Sequence, residues 1–169
     1  TLLAQWATEA DESGLRTAWL SLDRRDSDPV VFWSYVIAAL RTIDDELGTA
    51  ALGTLQSSPA GVDAVVGALV NDLAARDDIV LVLDDYHVIE SIDVHESMRF
   101  LVDHLPSTVH LVVATRADPP WPLASLRARG DLLEIRAADL RFTPSEAEAY
   151  LNDAVGLDLE ARDIEVLEE

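Results

Sequence analysis

The amino-acid sequence predicts an α/β fold, a three-layer arrangement in which a parallel sheet is covered by helices on both faces. Three observations predict it. Short, near-continuous apolar runs recur at 17–22, 79–83, 109–115 and 132–135, the pattern of strands buried on both sides. Helix signals with caps separate these runs, and that alternation builds parallel sheets. With 169 residues, 49% of them apolar, the chain can bury one substantial core and part of a second.

The elements follow in order. Residues 17–22 (Thr-Ala-Trp-Leu-Ser-Leu) form a strand that leads into Asp23 and a polar turn at 24–28. Asp28 followed by Pro29 marks a helix start, since aspartate caps free amides and proline suits the first turn. A helix is predicted over 30–47, with Val31, Tyr35, Ala38 and Ile43 near one face and Gly48 as its end. A looser stretch through Ser57, Ser58 and Pro59 precedes a second helix at 62–75. Asp93 and Glu96 resemble a capping box before a helix at 94–104 that Pro106 closes. Asp118-Pro119-Pro120 turns the chain, 123–129 is a short helix, and Gly130 stops it. Thr143-Pro144-Ser145-Glu146 combines an N-cap, a first-turn proline and an N3 glutamate, and its helix should reach about Asp153 before Gly156.

Composition excludes several functions. A net charge of −20 repels a phosphate backbone, so direct nucleic-acid contact by this segment is not expected. The absence of cysteine removes disulfides and cysteine-ligated zinc. Four histidines, at 87, 95, 104 and 110, lack metal-ligand spacing and read as surface or half-buried imidazoles. The most apolar stretches, 30–40 and 79–83, fall short of the roughly 20 residues of a membrane span. Without a signal pattern either, the expected location is cytoplasmic.

The run Ile79-Val80-Leu81-Val82-Leu83-Asp84-Asp85 closes a buried strand on adjacent carboxylates, the form of a Walker B strand. All twelve basic residues are arginines, so the chain holds no lysine for the phosphate grip of a P-loop. Ligands of such sheets bind at the carboxyl ends of the strands, where Asp23, Asp84, Asp85 and Arg116 converge. Their chemistry fits a nucleoside triphosphate: one acid for magnesium, a second for water, an arginine for the terminal phosphate. Turn or cap formation by the two acids, and a surface ion pair for Arg116, are the structural alternatives.

Eight short segments in order carry a family resemblance. They are Leu2-Leu3-Ala4-Gln5-Trp6, Ala18-Trp19-Leu20-Ser21-Leu22-Asp23, Phe32-Trp33-Ser34-Tyr35-Val36, Leu83-Asp84-Asp85-Tyr86-His87, His95-Glu96-Ser97-Met98-Arg99-Phe100, Leu111-Val112-Val113-Ala114-Thr115-Arg116, Leu126-Arg127-Ala128-Arg129 and Leu133-Glu134-Ile135. From Thr1 to Glu169 the chain resembles the nucleotide-binding module of the large ATP-dependent LuxR-type transcriptional regulators, within the signal-transduction ATPases with numerous domains.

The resemblance implies a P-loop NTPase-type sheet that lacks its first strand and P-loop. It implies a partial nucleotide-binding domain over 1–142 and the start of a helical lid over 143–169. Asp84 would be the magnesium-binding acid, Asp85 the acid that positions or activates water, and Arg116 the phosphate sensor. Asp23 receives no catalytic role, while Arg127 and Arg129 read first as surface salt bridges and second as phosphate contacts. In this family a glycine-rich loop ending in Gly-Lys-Thr or Gly-Lys-Ser sits just before the segment matched by Thr1-Leu2-Leu3-Ala4-Gln5-Trp6, so the match begins inside the first helix. ATP and magnesium are thus expected as ligands of the parent protein, and residues 1–169 alone should bind them weakly or not at all. Self-association, a small-molecule inducer and DNA are implied partners, the last two through other domains.

Two rivals remain. A phosphorelay receiver shares the Leu-Asp-Asp strand end, but it needs a phosphoacceptor aspartate where this chain has Thr115-Arg116, and a lysine that is absent. A non-catalytic acidic α/β interaction module would use Trp6, Trp19, Trp33 and Trp121 as an exposed patch, whereas aromatics so spread are more often core.

Overall fold

A computed structural model describes residues 2–57, 61–154 and 156–157 of the chain. Ser58, Pro59 and the lid positions from 158 onward lie outside the described residues. The described residues fall into two compact units that divide between Trp121 and Pro122.

The first unit is built on three parallel strands, β1 (Arg16–Ser21), β2 (Ile79–Asp84) and β3 (Val109–Val113), in the order β1-β2-β3. Ser21 lies beside Asp84 and Leu83 beside Val113, so all three strands release the chain at the same end. Every apolar residue of β2 is buried. Ile79, Leu81 and Leu83 join one core cluster with residues of the helices α2 (Pro29–Leu40), α3 (Thr49–Ser57), α4 (Val62–Ala74) and α5 (Ile92–Asp103). Val80 and Val82 are buried outside that cluster, as alternation along a strand requires. So are Ala7 and Ala10 of α1 (Leu2–Glu12), which packs against β1. The sheet is thus helix-covered, as the apolar runs predict. No helix among the described residues is long and apolar enough to cross a membrane.

Asp28 caps α2 as expected: its Oδ1 accepts from the Val30 and Val31 amides at 2.9 and 3.1 Å, with Pro29 in the first turn. Removing it, as Asp28→Ala, should lower stability by about 1 kcal/mol in a denaturant titration, and an unchanged midpoint would contradict a stabilising cap.

The helix expected over 30–47 stops at Leu40. Thr42 Oγ1 donates back to the Ala39 carbonyl at 2.7 Å, and Asp44 Oδ1 captures the Glu46 amide at 3.0 Å. Such local side-chain bonds compete with the helical ladder. Arg76 Nε, from the end of α4, then ties Asp44 down at 2.8 Å. The Glu46 amide and the Arg76 guanidinium together hold the Asp44 carboxyl below its usual range. The buried stripe of α2 also differs from the expected one. Phe32, Trp33, Val36, Ile37 and Leu40 face the core, while Tyr35 is exposed.

The residues after Gly48 form the helix α3, where the sequence predicts only a looser stretch. Gly48 has a φ of 69°, and a Cβ there would meet Ile37 Cγ2 at 2.7 Å. Gly48→Ala should therefore exceed the roughly 1–2 kcal/mol of a left-handed alanine, again read as a shift in denaturation midpoint; a neutral substitution would refute the close approach.

The cap of α5 is Ser91, whose Oγ accepts from the Val94 amide at 3.4 Å, rather than Asp93. Extended backbone at Ser91 leaves the amides of the first turn facing it, and Asp93 falls inside that turn, where its charge suits the helix N-terminus. β3 ends at Val113, two residues before the predicted end, although the Ala114 amide still reaches the Leu83 carbonyl at 2.9 Å.

In the second unit, α6 (Leu123–Arg129) ends at Gly130 in a left-handed cap, as predicted. Residues 132–135, the expected fourth strand, form none. Leu133 and Ile135 are exposed, and Glu134 is taken up by ion pairs with Arg127 and Arg136. A strand exists only against a partner edge, and among the described residues this segment has none. The reciprocal capping box of Thr143 and Glu146 opens α7 (Pro144–Ala149), and a π-helical turn, Tyr150–Ala154, continues it.

Candidate functional site

Asp84 and Asp85 leave the carboxyl end of the central strand in different ways. Asp84 closes β2 and is half-buried, and its Oδ1 accepts the Asp85 amide at 3.0 Å. Asp85 is exposed and adopts the left-handed conformation at φ 58° and ψ 33°. Few residues besides glycine, asparagine and aspartate hold that geometry, and strain of this kind concentrates at functional positions. Its consequence is a sharp reversal: the next residue, Tyr86, turns inward and is only 1% exposed.

Around Tyr86 the loops of the site are joined. Its amide donates to the Ala114 carbonyl at 3.0 Å, and its hydroxyl lies 2.9 Å from His95 Nδ1 on α5. Its ring meets that of Trp121 at 5.0 Å between centroids, tilted by 54°. Burial pushes the Tyr86 hydroxyl far above its ordinary range and pushes His95 down. Both shifts favour the uncharged forms, a protonated phenol hydrogen-bonded to a neutral imidazole. His87 Nδ1 is screened from solvent 3.8 Å from Asp85 Oδ1.

Arg116 sits in the loop after β3, exposed, with no ion pair or hydrogen bond to a described residue. The topology thus brings Asp84, Asp85 and Arg116 to one sheet end from adjacent strands. A cleft of ≈110 Å³ opens between the 86–89 turn and the 115–120 loop, lined by residues that include His87, His95, Thr115 and Pro119. A larger open groove of ≈530 Å³, lined by Glu46, Asn71 and Arg76 among others, lies where α4 runs toward the start of β2. That is the opposite end of the strands from the acids, and its arginine is already paired with Asp44.

The other sequence candidates have local roles. Asp23 Oδ1 accepts the Arg25 amide at 2.6 Å while Asp26 Oδ2 accepts the Asp23 amide at 2.7 Å, so Asp23 caps the short helix Arg24–Ser27. Arg127 pairs with Glu134 and Arg129 with Asp131, the salt-bridge alternative for both. Glu134 is held far below the ordinary carboxylate range, at about 2, first by the Arg127 hydrogen bond and then by Arg136. With the folded value below the unfolded one, this cluster contributes fully above about pH 4.3 and is lost as pH falls toward about 2. A carboxyl-resolved NMR titration checks this, and an ordinary midpoint for Glu134 would refute it.

His104 and His110 are exposed and His87 and His95 half-buried, and no three His, Asp or Glu side chains cluster as a metal cage among the described residues. In the sequence His95 reads only as a surface or half-buried imidazole and Trp121 only as a core or patch aromatic. Tyr86 follows the two acids directly, but nothing in linear order ties it to His95 or Trp121.

No family model matches the chain. It is 35% identical over 165 residues to the HTH-type transcriptional regulator MalT of Yersinia enterocolitica, covering 96% of this chain and 18% of that protein. To MalT of Serratia proteamaculans it is 34% identical, with the same coverage. To the serine/threonine-protein kinase PknK of Mycobacterium tuberculosis it is 33% identical over 171 residues, 99% of this chain and 15% of that protein. The chain spans less than a fifth of the length of these relatives. Over nearly its whole length it is thus a homologue of one segment that MalT-type LuxR-family regulators and PknK share, in agreement with the resemblance its motifs carry.

Proposed function

We propose that this chain is the acid- and arginine-bearing part of an ATP-dependent switch in a transcriptional regulator. The observation that carries the reading is Asp84 at the end of the buried central strand, followed by Asp85 in a left-handed turn, with Arg116 leaving the neighbouring strand. In this role Asp84 holds magnesium, Asp85 orients the attacking water, and Arg116 faces the terminal phosphate. A single carboxylate fits magnesium, which keeps several waters and binds through one or two carboxylates plus substrate phosphates. One Asp84 oxygen accepts the Asp85 amide, which leaves the other for the ion. Bound there, magnesium supplies neutralisation of phosphate charge. Asp85, exposed, can accept a hydrogen bond from water, and Arg116, without a described partner, offers a bidentate cation to phosphate oxygens.

The phosphate cradle itself must come from residues outside this sequence, because the sequence has no lysine and glycine-rich loop amides with a lysine make most such contacts. We therefore read residues 1–169 as binding magnesium-ATP weakly or not at all alone. In the longer protein, ATP promotes self-association and hydrolysis resets it, with inducer and DNA engaged by other domains. Homology to MalT supports the regulatory setting.

The test is a calorimetric titration of magnesium-ATP into this chain and into a form extended upstream by about 30 residues, enough for a strand and a P-loop. Binding by the longer form alone is the expected result. Tight binding by residues 1–169 would move the phosphate site elsewhere and overturn the assignment of Asp84.

A further inference from the structure

Arg116 has to be placed with respect to the two acids, yet its own side chain is anchored to no described residue. Its position is therefore inherited from its loop. At the start of that loop the Ala114 carbonyl is held by the Tyr86 amide at 3.0 Å, and at its end the Trp121 ring rests on the Tyr86 ring at 5.0 Å. Between these points the loop is stiff. Thr115 Oγ1 donates to the Ala117 carbonyl at 2.8 Å, the Trp121 amide donates to Pro119 at 2.7 Å, and two prolines restrict the backbone. One residue thus fastens both ends of the arch that carries Arg116, and that residue follows Asp85 directly.

We propose that Tyr86 is the positioning residue of the site, setting Arg116 relative to Asp84 and Asp85 by clamping the 114–121 loop at both ends. The left-handed turn at Asp85 makes this possible by sending Tyr86 inward. His95 completes the clamp, since its Nδ1 and the Tyr86 hydroxyl share a hydrogen bond at 2.9 Å that holds the phenol against α5. The same contact ties the loop to α5, so displacement of α5 would be felt at Arg116. This assignment rests on the nucleotide reading of the site for its chemical consequence, but not for its geometry.

The experiment is a double-mutant cycle in the full-length protein, with ATP turnover and ATP affinity measured separately. Tyr86→Leu should slow turnover by about 10²-fold, as misplacement of a catalytic group by about 1 Å does, and change affinity far less. In an Arg116→Ala background the same substitution should add less than about twofold, because it acts through Arg116. Tyr86→Phe, which keeps the ring and loses the His95 bond, should show the same pattern with a smaller fold-change. Losses that multiply independently would overturn the proposal, since Tyr86 would then be core alone. If Asp84→Asn and Arg116→Ala both leave turnover untouched, the nucleotide reading falls instead. Amide hydrogen exchange then decides the clamp on its own: Tyr86→Leu or Tyr86→Phe should speed exchange at the hydrogen-bonded amides of residues 86 and 121, at the two ends of the loop, by about tenfold or more, and unchanged protection there would overturn it.

Discussion

Replacing Asp84 by asparagine, in the full-length protein, is expected to abolish magnesium-dependent nucleotide binding while leaving the fold intact. Asparagine is nearly isosteric, and its carbonyl oxygen can still accept the Asp85 amide that Asp84 Oδ1 accepts at 3.0 Å. What disappears is the negative charge at the end of β2. Changes to groups that merely support a metal ligand cost about 10–100-fold in affinity, so loss of the ligand itself should exceed that range. Magnesium titrations at fixed ATP, with circular dichroism as the control for folding, measure both halves of the expectation. Indifference of the nucleotide response to Asp84→Asn would favour the rival reading, an acidic scaffold whose sheet only presents a surface.

A comparable effect on stability is expected from Trp33→Ala. Trp33 is fully buried, meets Phe32 edge to face at 5.3 Å, and donates its indole N–H to Ser97 Oγ at 3.0 Å. Ser97 in turn donates to the Val94 carbonyl at 3.0 Å. Truncation empties a large volume between α2 and α5 and removes one partner of a buried hydroxyl. The loss should be about 3–5 kcal/mol, a third or more of the roughly 5–15 kcal/mol that holds a typical domain together. Equilibrium denaturation checks the figure, and a change under about 1 kcal/mol would show that the site collapses without a cavity. Trp33→Phe should fall between, because it keeps much of the volume and loses the bond to Ser97.

The strand-end positions of the candidate acids and the loop position of Arg116 are legible in the sequence. The apolar run from Ile79 to Leu83 places Asp84 at a strand end because a fully buried strand has no polar residue until it emerges. Leu111-Val112-Val113, an apolar run only partly buried in the fold, places Arg116 just beyond a neighbouring strand. The clamp was not legible: Tyr86, His95 and Trp121 stand on three separate elements, and no local pattern records that their rings meet. The left-handed backbone of Asp85 was equally hidden, since aspartate tolerates several conformations and the Tyr86 contacts select this one.

The same division runs through the fold. Apolar runs mark the three paired strands in linear order, and local capping signals mark the starts of α2 and α7 and the end of α6. The helix ends depend on interactions within a few residues: Asp28 on the Val30 and Val31 amides, Thr143 with Glu146, and a left-handed Gly130. Contacts made in the folded chain set the break after Leu40 in the helix expected over 30–47, the formation of α3, and the lack of a strand at Leu133 and Ile135 among the described residues. Those outcomes depend on partners distant in sequence. Arg76 reaches Asp44 from the end of α4, and a strand forms only where another strand's edge accepts its hydrogen bonds, which no single segment can supply for itself.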